Sequence, residues 1–113
     1  MIEVKRVSWS EVVDQLRATF EGDEAEIKQD VDSGVAVCWR VGGVVMITRR
    51  DGAELVVMCL AGGDLKSIGK VFFDAARKAG CKTMRFHTKR PALGRHLQEF
   101  GFKPSETIFR AAL

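Results

Sequence analysis

Two adjacent glycines, Gly62 and Gly63, separate an apolar run at 54–60 from an amphipathic stretch that opens near Asp64. A helix that starts on glycines just past a strand leaves its first backbone N–H groups free. Together with the helix dipole, those groups suit an anion such as a phosphate. The competing reading is a plain strand-to-helix turn, which needs glycine for its backbone angles alone. A basic cluster follows: Lys82, Arg85, Lys89, Arg90 and Arg95. Such clusters are solvated surface or phosphate contacts. No aromatic residue interleaves with this one for base stacking, which argues against nucleic acid. Cys59 lies inside the apolar run. A nucleophilic thiol needs an electropositive, partly exposed setting, so a small core residue is the expectation. The two histidines, His87 and His96, have no carboxylate at ligand spacing, and no metal site is expected.

Those residues must be positioned by one small domain. A chain of 113 residues spans a single domain, 1–113, large enough for a core without metal or disulfide staples. The net charge of +3 is mild and lacks the strongly basic stripe of a nucleic-acid binder. Cys38, Cys59 and Cys81 are odd in number, dispersed and set among apolar residues. That pattern reads as reduced, buried thiols in the cytoplasm. No run is long and apolar enough for a membrane span, and no signal peptide is visible after Met1.

Periodicity then assigns the elements. Residues 2–7 alternate as a strand does. Ser8 and Glu11 have capping-box spacing, and Trp9, Val12, Val13, Leu16 and Phe20 share one helical face. The acidic run at 21–32 reads as a short second helix and loop. A meander covers 35–60, turning at Gly42-Gly43 and at Asp51-Gly52. Its last strand is almost wholly apolar, as a central strand is. The main helix should run from an Asp64 N-cap to a left-handed Gly80, with Leu65, Ile68, Phe72, Ala75 and Ala76 inward. A strand at 81–87 follows. Pro91 then suits the first turn of a last helix with Leu93, Leu97 and Phe100 inward, ended by Gly101. A strand at 107–113 closes the chain. Leu16, Val37, Val57, Phe72, Phe86, Leu97 and Phe100 are expected in one core.

The element order, the Gly62-Gly63 turn and Glu99-Phe100-Gly101-Phe102 after the last helix resemble the GNAT acetyltransferase superfamily over almost the whole chain. The resemblance implies an α/β fold: a mixed, mostly antiparallel sheet flanked by helices. In that family the fourth and fifth strands splay apart and acetyl-CoA inserts between them. A loop with the pattern Arg/Gln-x-x-Gly-x-Gly/Ala cradles its pyrophosphate. Here that loop falls on Leu60-Ala61-Gly62-Gly63-Asp64-Leu65, with Gly63 at the first glycine. Leu60 replaces the Arg/Gln, and Leu65 the second small residue. Asp64 adds a negative charge where the phosphate would sit, offset by Lys66 and Lys70. The chain is short for the family, and no seventh strand is expected.

By the same resemblance the backbone of Val57, Met58, Cys59 and Leu60 would hold the pantetheine. Gly62, Gly63 and Lys66, with Lys89 and Arg90 beside the cleft, would meet the phosphates. Glu54, at the head of the fourth strand, would take the proton from an attacking amine, directly or through water. A backbone N–H near Met58 or Cys59 would stabilise the developing oxyanion. The Tyr that many members place four residues before the Gly-Phe is Leu97 here, and the chain contains no Tyr. A thiol of pKa about 8.5 leaves with little help near neutral pH. The implied function is N-acyl transfer from acetyl-CoA to a small-molecule or peptide amine, with the acidic 21–32 run favouring a cationic acceptor. The alternative is a non-catalytic GNAT-like binding module that has lost the loop residues. The apolar strand at 108–113 would be an exposed edge able to pair with a second copy.

Overall fold

A computed structural model describes residues 2–20, 22–63, 65–87, 103–105 and 108–113. Its elements are β1 (Val4–Val7), α1 (Trp9–Leu16) with a 3-10 turn (Arg17–Thr19), α2 (Glu24–Asp32), β2 (Ala36–Val41), β3 (Val44–Asp51) and β4 (Glu54–Gly62). Then come α3 (Leu65–Lys78), β5 (Thr83–His87), β6 (Lys103–Ser105) and β7 (Ile108–Ala112). All seven strands form one sheet in the order β1-β2-β3-β4-β5-β7-β6. Only β4 and β5 run parallel; every other neighbouring pair is antiparallel. The α/β class and the mixed, mostly antiparallel sheet are as the sequence implied. The helix expected around Pro91, Leu97 and Phe100 lies outside the described residues.

Alternation along β3 divides the interior into two layers. Val44 and Met46 point to the face covered by α3, where they meet Val57, Leu60, Ile68, Phe72 and Phe86. Val45 and Ile47 point to the other face, where α1 and α2 supply Val12, Leu16 and Ile27. This corrects the expectation of one core. Leu16 is fully buried, but across the sheet from Phe72 and Phe86. A buried strand with apolar residues at every position serves two cores at once.

Three local expectations change. The Ser8–Glu11 capping box does not form: Ser8 makes no side-chain cap bond, and its Oγ lies 3.0 Å from the Ser10 hydroxyl and 3.5 Å from Glu11 Oε1. A seventh strand exists, because Lys103–Ser105 pairs with the outer side of β7. Three residues, one of them proline, carry no period for a sequence to display. As a result the closing strand is not the sheet edge that was expected; β7 sits between β5 and β6. The end of α3 forms as expected. Gly80 adopts φ +90°, the Gly80 N–H bonds Arg77 O and the Cys81 N–H bonds Ala76 O. These are the paired bonds of a Schellman cap.

Candidate functional site

The parallel β4–β5 ladder is short. Among the described residues it pairs Glu54 with Thr83 and ends at Val57 with Phe86. β4 itself runs on to Gly62. Immediately after the last pair, the β3–β4 register shifts: Ile47 faces Cys59, whereas Thr48 faces Val57. Met58 is therefore an extra residue, a bulge that turns the strand and leaves it out of the ladder. Val57 and Leu60 stay on the α3 side, while Met58 and Cys59 both face the α1/α2 side. The bulge thus falls on the segment where the sequence placed an oxyanion-binding N–H. Its signal was absent from the sequence, because Met58 is one more apolar residue in an apolar run.

At the far end of β4 the two glycine pairs meet. Gly62 has φ +89°, and a Cβ there would collide with the Gly43 carbonyl oxygen. A Cβ on Gly63 would lie 3.3 Å from the Gly43 carbonyl carbon. The Gly63 N–H donates to Gly43 O at 3.2 Å. Glycine is thus needed at 62 and 63 by the close approach of the β2–β3 turn, apart from any ligand. One of the loop N–H groups is already engaged within the chain. The second Gly-Gly pair, Gly42-Gly43, was read as a turn; its role as a wall of the loop was missed. Lys66 and Lys70 are exposed on the first turns of α3.

Glu54 stands apart from these groups. It lies at the closed end of the β4–β5 pair, four residues before Met58, or about 13 Å along the strand. Leu55 and Val57 pack towards α3, so Glu54 and Val56 face the α1/α2 side, as Met58 does. Its carboxylate is 18% exposed and lies 3.8 Å from Arg85 Nη1. Arg85 Nη2 also bonds Asp51 at 3.0 Å, and Asp51 meets Arg49 Nη2 at 3.4 Å. Arg85 therefore belongs to a mixed-charge network rather than to a free basic patch. Lys82 is exposed, while Lys89, Arg90 and Arg95 lie outside the described residues, as do Asp64 and Leu97. Cys59 is buried, and burial pushes its thiol up to about 11, against a smaller lowering by the Thr19 hydroxyl. It remains protonated at neutral pH, as a core thiol does.

No family model and no curated protein matches this sequence. Solved structures do match. The chain superposes on an IAA acetyltransferase from Bacillus cereus with TM-score 0.70 at 14% identity, covering 100% of both chains. A Bacillus subtilis acetyltransferase in complex with CoA gives TM-score 0.69 at 12% identity, with 100% of this chain and 99% of that one covered. The ribosomal-protein-S18-alanine N-acetyltransferase from Escherichia coli gives 0.70 at 12%, covering 99% and 94%. This chain has the GNAT fold. The GNAT fold alone does not carry an activity.

Proposed function

We propose that the chain is an acyl-CoA-dependent N-acyltransferase. The observation that carries the reading is the end of the parallel ladder at Val57 and Phe86, at the point where Met58 bulges. Beyond it, β4 continues towards Gly62 and α3 with no further β5 partner among the described residues. The strand edge of Val57, Met58, Cys59 and Leu60 suits the amide groups of a pantetheine arm. Gly62, Gly63, Lys66 and the α3 N-terminus would take the pyrophosphate, with Lys89 and Arg90 assigned to the same charge. The engaged Gly63 N–H leaves that cradle one donor short, so the lysines carry more of it. Acetyl-CoA, when bound, supplies an acyl group activated as a thioester. An amine, small-molecule or peptide, would approach on the α1/α2 side, where Met58 and Glu54 both point. Glu54 would receive the amine proton through a chain of waters, because the roughly 13 Å of strand between it and the bulge exceeds the reach of one. Three free, buried cysteines support a reducing compartment such as the cytoplasm.

A second reading is a GNAT-fold module that binds without turnover. It is favoured by the Gly63 bond to Gly43 and by the Arg85 contact to Glu54. Calorimetry with acetyl-CoA and CoA, followed by radiolabelled acetyl transfer to a panel of amines, separates the two. Binding with transfer is the expected result. Binding without transfer to any amine, or no heat at millimolar acetyl-CoA, overturns the enzyme reading and selects the module.

A further inference from the structure

A cavity on the α3 face of the sheet shares no lining residue with the proposed acyl-CoA slot, although Thr48 in its wall pairs with Val57. It opens between the last two turns of α3 and the sheet, with a volume of about 370 Å³. Small side chains create it: Ala75 and Ala76 on α3, and Ala79 just past its end, leave a gap over Val37 and Trp39 of β2. That volume is within the range of small-molecule pockets, roughly 300–1,000 Å³.

The chemistry of its walls narrows the ligand. Trp39 Nε1–H donates to Thr48 Oγ1 at 2.8 Å, so that pair asks for no polar guest. Arg49, also in the wall, is paired with Asp51 at 3.4 Å and keeps a buried Nε–H without a partner. The rim differs. Val35, 54% exposed, is the one large apolar side chain left in solvent among the described residues. Beside it, Arg50 bonds two neutral carbonyls, Ala79 O at 2.9 Å and Gly52 O at 3.2 Å. Among the described residues no carboxylate meets it. An apolar slot with an uncompensated guanidinium at its mouth is complementary to a hydrocarbon chain ending in an anion.

We propose that this groove binds a medium-chain carboxylate, its tail along Val37, Trp39 and Ala75 and its head at Arg50. The site is separate from the proposed acyl-CoA slot and does not depend on it.

Trp39 lines the groove and reports on it. In a Trp9→Phe protein, sodium dodecanoate should change Trp39 emission saturably with one site per chain, and dodecanol should do the same. Ala75→Leu, which fills the slot, should abolish both responses. Should that variant fail to fold by circular dichroism, Val37→Phe blocks the same space from the sheet side. Arg50→Gln should weaken dodecanoate about tenfold while leaving dodecanol within about twofold, as expected for loss of one charge-assisted contact. A flat Trp39 signal up to the solubility limit overturns the proposal. Equal dodecanoate binding in the blocked variants, or no selective effect of Arg50→Gln, does so too. A concentration-dependent dimer in sedimentation that Ala75→Leu disperses would assign the groove to a second copy and overturn it as well.

Discussion

At the scale of single residues, the glycine pair separates two demands that look identical in sequence. Gly62 carries both a positive φ and a blocked Cβ position, whereas Gly63 has only a tight Cβ contact. Gly62→Ala should therefore cost about 2 kcal/mol or more and Gly63→Ala clearly less, measured by urea denaturation. Equal costs would mean that the Gly43 turn yields freely. Cys59 gives a second test. Its thiol sits at about 11 in the folded chain, above the ordinary value of 9.0, because burial disfavours the thiolate. As pH rises from 9 to 11 the unfolded chain gives up this proton first. The folded state holds more protons through that window, so stability falls as pH rises. Folding free energy should drop by up to about 3 kcal/mol more in the wild type than in Cys59→Ala across it. Parallel pH curves would refute the buried-thiol account. The residue-level reading of Cys59 as core was available from its apolar neighbours. The engagement of Gly63 was not, since it depends on a turn 20 positions earlier in the chain.

At the scale of elements, sequence signals worked where local chemistry decides. Gly42-Gly43 and Asp51-Gly52 end their strands as expected, and Gly80 ends α3. Gly80→Ala should cost about 1 kcal/mol in thermal or chemical melts, because alanine resists φ +90°. A neutral change would show that the Cys81-to-Ala76 bond survives another backbone shape. Signals failed where partners across the sheet decide. The β4 bulge arises from how Ile47 and Thr48 register against Cys59 and Val57. No pattern within 54–62 announces it. β6 is defined by its pairing with β7, and its own Lys-Pro-Ser sequence suggests a loop. At the start of α1, the capping-box spacing is present but its side-chain bond is not. Spacing alone permits a cap and does not enforce it.

At the scale of the whole molecule, one sheet serves two cores, and each core holds one tryptophan. Trp9 stacks on Phe20 at 5.7 Å under α1, and Trp39 packs against the α3-side core. Because β2, β3 and β4 contribute side chains to both layers, neither layer can melt without the other. Trp9→Phe and Trp39→Phe proteins, each reporting one face, should show unfolding midpoints that coincide with their own circular dichroism. Separate fluorescence and dichroism midpoints in either protein would mean independent layers. The general architecture could be read from the chain because strand and helix periods are local; the assignment of Leu16 to its own layer could not, because face is set only once strands pair. The strand order has one more consequence. The outermost described strands are β1, bearing Lys5 and Arg6, and β6, with Lys103 and Pro104. Proline has no N–H to offer an incoming chain, and charges resist stacking against copies of themselves. The molecule thus ends its own hydrogen-bonded ribbon on both sides, so that crowding should not make one copy the template for fibrous growth of the next.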